Sequence, residues 1–213
     1  MHNIFFFTAF ALPLLTFAAP TTYPRSSIRR LPRQSTNITS PPCDLSTLRQ
    51  PPNTLPPPSS DETLLLVALG LGTQNYTCTS ATTPPTQIGA VATLYDASCT
   101  LASSGSENAQ NSIYETTDPI GTHYFTDSTT PVFDIQALGG NTVVKRADSM
   151  TAPGAQGKNV PWLLLARTEA SESKARKVYR VETVGGVAPA SCEGVEAGTV
   201  LTVGYEAQYW FYG

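Results

Sequence analysis

Apolar and polar positions alternate along the last part of the chain with the period of two that a strand with one buried face requires. Between Leu201 and Phe211 the odd-numbered residues are apolar, aromatic or alanine, whereas the even positions from 202 to 208 hold threonine, glycine, glutamate and glutamine. This pattern predicts a long strand over residues 199–212. Seven shorter runs rich in Val, Leu, Tyr and Phe predict strands over residues 63–69, 88–95, 122–125, 132–135, 142–146, 162–167 and 177–184.

Helical patterning is weak in the same region. No stretch of ten residues carries a helical apolar stripe, and the one short helix that the pattern offers, at residues 44–49, would end at Pro51 and Pro52. Segment 168–173 is polar on all sides and predicts a hairpin loop. The sequence therefore predicts an all-β domain, an antiparallel β-sandwich or barrel of about eight strands.

The N-terminal part of the chain has a different character. An apolar run from Ile4 to Phe17 has the length of a signal-peptide core and is too short to span a bilayer as a helix. Small residues follow it, so we predict a signal peptide over residues 1–18 with cleavage after Ala18. Residues 19–42 are rich in Pro, Ser, Thr and Arg, and they predict a disordered leader that is either a linker or a pro-segment cut at Arg29-Arg30.

Composition supports a single domain over residues 43–213. Eleven of the 18 prolines lie within the first 60 of the 213 residues, and the first glycine is Gly70. Residues 1–42 hold four arginines and no acid, which leaves the remainder of the chain acidic. Because an acidic body has no general field for phosphates, we expect no nucleic-acid partner. No later stretch is apolar enough for a transmembrane anchor, so the product is expected to be secreted and extracellular.

Four cysteines in an exported chain predict two disulfide bonds out of three connectivities. Proximity along the chain favours Cys78–Cys99, which leaves Cys43–Cys192. There is no C-x-x-C pair, and one histidine remains after signal removal, so we expect neither a zinc site nor another cofactor.

Two sequons for N-glycosylation agree with export. Asn37-Ile38-Thr39 lies in the leader and Asn75-Tyr76-Thr77 lies in the domain. We expect Asn37 to be used more readily, because a disulfide at the nearby Cys78 would restrict access to Asn75.

Several longer strings occur in order along the domain. They are ALGLGTQNYTC at residues 68–78, GAVATLYD at 89–96, GTHYF at 121–125, VPWL at 160–163, VYRV at 178–181, GGVAPA at 185–190 and YWFY at 209–212. Together they resemble an uncharacterised family of secreted fungal and bacterial proteins catalogued as domain of unknown function 3455, from about Cys43 to Tyr212. The resemblance implies a common fold unit and a secreted, fungal origin, and it implies no established activity.

Fungal members of that family are often labelled malate dehydrogenase, and the residues do not support the label. A dinucleotide-binding loop after Gly70 and Gly72 would need a third glycine at position 75 and then a helix. Asn75 occupies that position, and Pro84-Pro85 follow shortly afterwards. We therefore expect no dehydrogenase activity.

Two kinds of side chain could support catalysis. His123 is a candidate general base with Asp118 and Asp127 nearby in sequence, although a histidine packed within a sheet is the commoner case. A pair of acids could also serve a glycosidase. The candidates for such a pair are Asp96, Asp118, Asp127, Asp134, Glu182 and Glu206.

Other residues are candidates for binding without catalysis. Trp210 and Tyr212 occupy even positions of the last strand, so they either form an outward platform for sugar rings or pack beneath a loop. Gln74, Asn75 and Tyr76 form a polar cluster at a predicted strand end, where they serve either a turn or a ligand.

We therefore predict a secreted, non-catalytic protein that interacts with a cell wall, a matrix or a host surface. Its expected partners are wall polysaccharide or a host surface protein. The alternative is an extracellular hydrolase or lyase that acts on polysaccharide through His123 or an acid pair.

Overall fold

The computed structural model describes residues 43–104, 117–154 and 157–213. The predicted signal peptide, the leader with its Arg29-Arg30 pair and the Asn37 sequon lie outside these residues.

Eight antiparallel strands close into a barrel in which each strand pairs with the next and the last pairs with the first. This confirms the all-β prediction and selects the barrel. Each of the eight predicted runs forms one strand, and most strands extend beyond the predicted limits. The strands are β1 (Leu64–Thr77), β2 (Thr86–Asp96), β3 (Pro119–Phe125), β4 (Pro131–Ile135), β5 (Gly140–Met150), β6 (Trp162–Arg167), β7 (Lys177–Gly185) and β8 (Val200–Tyr212).

The short helices differ from the sequence prediction. Residues 44–49 form a turn around Ser46, whose backbone N–H donates to the Asp44 carboxylate, so the predicted helix there is wrong. The observed helix α1 spans Ser98–Ser104, and a single 3₁₀ turn spans Gln136–Leu138. Helix α1 has only seven residues, too few to show a helical period in the sequence.

The barrel interior is filled by side chains from alternate positions of the strands. The odd positions of β8 place Tyr205, Tyr209 and Phe211 inside, where they pack with apolar residues such as Phe133. The adjoining wall, formed by β1 and β2, is lined by small residues. At Gly70, for example, an added Cβ would lie 2.7 Å from the Tyr209 ring, so glycine is needed for the ring to cross β1.

A second apolar cluster lies on the outside of the barrel. Residues 43–58, which we call the strap, run over outward-facing side chains of β1, β7 and β8, and α1 packs beside them. Leu55 of the strap joins this cluster, and the Tyr179 hydroxyl donates a 2.7 Å hydrogen bond to the Pro56 carbonyl. Between the strap and β1, Glu62 pairs with Lys177 at 2.9 Å.

The disulfides connect Cys43 with Cys99 and Cys78 with Cys192. The predicted pairing Cys78–Cys99 and Cys43–Cys192 is therefore wrong. Cys78 follows β1 and Cys99 follows β2, so the full length of β2 separates them. That strand of 11 residues spans roughly 36 Å, far beyond the Cα separation of a disulfide.

None of the helices in the three described ranges combines the length and the apolar character that crossing a bilayer requires.

Candidate functional site

His123 lies inside the barrel and not in a cleft. It is 3% exposed, its ring stacks on Phe133 with centroids 4.3 Å apart, and its Nδ1 lies 2.9 Å from the Val132 carbonyl oxygen. Burial lowers the pKa of His123 to about 4; the Val132 carbonyl opposes this shift and the charge of Arg180 adds to it. Within the described ranges no carboxylate forms a hydrogen bond with the ring. His123 therefore occupies the position of a neutral core side chain.

A chain of polar groups runs through the interior from the rim of the barrel. Gln87 donates to the Gln74 side-chain oxygen at 3.0 Å, and the hydroxyls of Tyr205 and Tyr209 lie 2.7 Å apart. Burial raises the pKa of both tyrosines, and Arg180 near them acts in the opposite direction.

Arg180 provides the positive charge of this interior. It is buried, and its Nε and Nη2 donate to the Pro161 carbonyl oxygen at 3.2 and 2.8 Å. Sequence reasoning did not identify Arg180 as an interior residue. Val178, two residues before Arg180, faces the interior, and Val181, the next residue, faces outward. This alternation along β7 is the signal that could have placed Arg180 inside.

The predicted polar cluster of Gln74, Asn75 and Tyr76 does not form at a strand end. All three residues lie within β1, so the strand directs them to alternate sides. Gln74 and Tyr76 are buried inward, and the Tyr76 hydroxyl donates to the Gly186 carbonyl at 2.6 Å. Asn75 faces outward and is half-buried. The predicted position of this cluster at a strand end is therefore wrong. The run from Gly70 to Asn75 is likewise part of β1, and β2 follows it without a helix between them.

Trp210 and Tyr212 face outward, as their even positions predicted, but they do not form an open platform. The strap covers them and leaves Trp210 3% and Tyr212 8% exposed. Of the two predicted outcomes, packing beneath a loop is correct and the exposed sugar platform is wrong.

A groove of about 810 Å³ lies between the strap and the start of β1. Tyr212 and strap residues, including Gln50 and Asn53, line it. Asn53 donates to the Gln50 side-chain oxygen at 3.2 Å. Burial raises the pKa of Tyr212, and a hydrogen bond from the Gln50 side chain acts in the opposite direction, so the buried Gln50 amide lies within reach of the Tyr212 hydroxyl. The groove therefore contains a side-chain amide beside an aromatic ring. Tyr212 is the one predicted binding residue that lines it.

Three of the predicted acids serve local structure. Asp96 accepts the backbone N–H of Ser98 at the start of α1, and Asp127 accepts both the backbone and the side chain of Thr129 in the β3–β4 turn. The Gln136 amide donates to Asp134 at 3.3 Å. In the part of the chain that the structure describes, no group of three or more His, Cys, Asp or Glu residues could hold a metal ion.

Comparison with known proteins identifies a family and gives no activity. No curated protein and no solved structure matches the chain. One family matches residues 58–213. This range contains all eight strands, but it includes only the last residue of the strap. Because the match covers most of the chain, the chain belongs to the family described as Protein of unknown function (DUF3455).

Proposed function

We propose that this protein is an exported, non-catalytic binding protein that holds a segment of cell-wall or matrix polysaccharide in the strap groove. The observation that carries the proposal is the groove itself, which places the Gln50 side-chain amide beside Tyr212. Sugar hydroxyls accept hydrogen bonds from such amides, and the C–H faces of sugar rings pack on aromatic and proline side chains. A volume of about 810 Å³ suits a short oligosaccharide segment.

The state of the cysteines supports export. All four cysteines are paired: one bond joins the strap to α1, and the other joins the residue after β1 to the segment before β8. Disulfides of this kind persist in oxidising compartments, which is compatible with the predicted signal peptide.

The buried position of His123 supports binding over catalysis. A general base must reach the proton that it abstracts, and the His123 ring is enclosed by Phe125, Phe133 and Tyr209. No contact in the described ranges favours the alternative of a hydrolase or lyase that uses this residue.

A polysaccharide retention assay tests the proposal. The oxidised mature protein is incubated with a panel of insoluble wall polysaccharides, and both the bound protein and the released soluble sugars are measured. We expect retention on at least one polymer with no released sugar. Release of sugar by the wild-type protein would overturn the non-catalytic assignment. Failure to bind any polymer would overturn the polysaccharide assignment and direct the search to a protein partner.

A pair of matched variants tests the groove. Gln50→Ala removes the amide that lies in the groove, whereas Gln136→Ala removes an exposed amide between β4 and β5. We expect Gln50→Ala to abolish most of the retention and Gln136→Ala to preserve it, with thermal unfolding showing that both variants fold. Equal retention by the two variants would show that the polymer binds elsewhere.

A further inference from the structure

Asn75 lies on the outward side of β1, two residues before the strand ends, and is half-buried. Its partners in register are Gly89 on β2 and Thr202 on β8, so no large side chain borders it on either side. Thr77, the third residue of the sequon, ends the same strand. The Cys78–Cys192 bond follows the end of β1, and Asn75 remains half-buried and not enclosed.

The atom that would carry a glycan is available. The Thr73 hydroxyl donates to Asn75 Oδ1 at 2.9 Å, which orients the carboxamide. Within residues 43–104, 117–154 and 157–213, Nδ2 of Asn75 has no hydrogen-bond partner.

Apolar side chains surround Asn75 on this face. Leu71, Val91 and Val200 are 40%, 52% and 54% exposed. Val91 pairs with Thr73 and Val200 pairs with Thr77, so both are diagonal neighbours of Asn75 at about 8 Å between Cα atoms. Leu71 lies on the same side of β1, roughly 13 Å along the strand. We call Leu71, Val91 and Val200 the bare patch.

We propose that Asn75 carries an N-linked glycan and that this glycan covers the bare patch in the exported protein. A glycan is bulky and strongly hydrated, and its first sugars can lie over residues about 8 Å from the attachment point. An exposed apolar patch on a sheet favours self-association, which a glycan at its centre would block. In this proposal the disulfide at Cys78 does not prevent use of the Asn75 sequon.

The chemistry requires a donor of a known class, an oligosaccharide linked to a polyisoprenyl diphosphate. The Asn75 Nδ2–C1 bond forms as the C1–O bond to the diphosphate breaks, and the diphosphate leaves with the bonding electron pair. Nδ2 loses one proton, and no oxidation or reduction takes place. The reaction requires entry into the secretory pathway, so the inference rests on the exported state within the proposed function.

Mapping of the glycosylation sites tests the first half of the proposal. The full chain is expressed in a eukaryotic secretory host, and the secreted protein is treated with a peptide N-glycosidase in H₂¹⁸O, which marks each formerly glycosylated asparagine as ¹⁸O-aspartate. We expect the mark at Asn75. A secreted, disulfide-bonded protein with unmodified Asn75 would overturn the proposal and leave the polysaccharide assignment intact. Failure of secretion would overturn the exported state and both proposals with it.

The self-association of the folded protein tests the second half. Glycosidase treatment of the native protein, or the substitution Asn75→Gln, should convert monomer into larger species and increase the fluorescence of an apolar dye. Asn37→Gln is the matched control, because it removes the other sequon and should leave the monomer unchanged. Adding Val91→Thr and Val200→Thr to Asn75→Gln should restore the monomer. A folded, deglycosylated protein that remains monomeric and does not bind the dye would overturn the covering role.

Discussion

The outer surface of β1 and β8 consists of two halves that differ in what lies on them. In one half, Val67 and Leu69 of β1 and Trp210 and Tyr212 of β8 lie beneath the strap and α1 and are almost completely buried. In the other half, the same strands expose Leu71 and Val200, with Val91 of β2 beside them. The two halves share strands, pairing and alternation, so the strand pattern does not account for the difference.

The comparison shows that burial outside a closed barrel depends on cover from another segment. A barrel satisfies its own backbone and fills its own interior, but it cannot bury its outer face. The covered half therefore combines the strap, its disulfide and the groove proposed for polysaccharide. The bare half has Asn75, where we propose a glycan. Substitutions that act on one half and not the other test this division. Their expected effects on the free energy of unfolding decrease from several kcal/mol to about 1 kcal/mol or less.

Truncation of one outward side chain in each half should produce very unequal effects. Trp210→Ala leaves a large cavity beneath the strap and should lower the free energy of unfolding by about 3–5 kcal/mol. Val200→Ala, on the same strand and face but 54% exposed, should cost less than about 1 kcal/mol. Denaturant-induced unfolding measures both values. Equal losses would mean that the strap does not pack on β8 in solution.

Removal of the disulfide that anchors the strap should make the covered half resemble the bare half. Cys43 and Cys99 are 56 residues apart, and loss of their bond by Cys43→Ala with Cys99→Ala should cost about 4 kcal/mol. Tryptophan emission should shift to longer wavelength as the strap loosens over Trp210. The double variant Cys78→Ala with Cys192→Ala is the control, because it should be destabilised without that shift. An unchanged emission in the first variant would contradict the anchoring role.

The pH dependence of stability tests the burial of His123 in the barrel interior, which lies beneath both halves of the outer surface. The pKa of His123 is about 4 in the folded protein, against the ordinary value of 6.5 expected in the unfolded chain. Between these two pH values the unfolded chain therefore binds one proton more than the folded protein. Stability should therefore decrease by about 3 kcal/mol as the pH falls from about 6.5 to about 4. His123→Gln should lose this component of the pH dependence in unfolding experiments across that range. If the variant retained the full dependence of the unfolding free energy on pH, His123 would bind its proton in the native state as readily as in the unfolded chain.

Deletion of a single hydroxyl tests one contact between the strap and the barrel. Tyr179→Phe removes the 2.7 Å hydrogen bond to the Pro56 carbonyl and should cost about 1 kcal/mol. Tyr124→Phe is the matched control, because the Tyr124 hydroxyl forms no hydrogen bond in the described chain. Thermal unfolding compares the two variants, and a larger loss at Tyr124 would contradict the assigned contact.

The smallest effect is expected at the ion pair near the end of the strap. Burial alone would raise the pKa of Glu62, but hydrogen bonds from Lys177 and the Ser59 backbone lower it overall. The stability contribution is therefore present above the ordinary pKa of 4.5 and is lost as the pH falls through the lower folded value. Because Lys177 is partly exposed, Glu62→Gln should cost at most about 1 kcal/mol at neutral pH. Glu193→Gln, at an exposed position, should cost less, and the reverse order would exclude a role for the pair.

The alternation in β8 shows how far sequence reasoning reached. It placed Tyr205, Tyr209 and Phe211 in the core and directed Trp210 and Tyr212 outward, because side-chain direction in a strand depends on local geometry alone. It could not decide whether the outward pair was exposed, because the cover comes from residues more than 150 positions earlier. The cysteine pairing failed for a similar reason, since a strand of 11 residues places sequence neighbours at opposite ends of the barrel.

The sequence by itself determined the all-β class, the eight strands and, in β8, the inward or outward direction of the side chains, because these follow from alternation and turn residues within short windows. Only the tertiary structure decided that the sheet closes, that aromatic rings enclose His123 and that the strap covers one half of the outer face. These outcomes depend on contacts between residues far apart in the chain, and no local pattern records which distant segment lies on a given face.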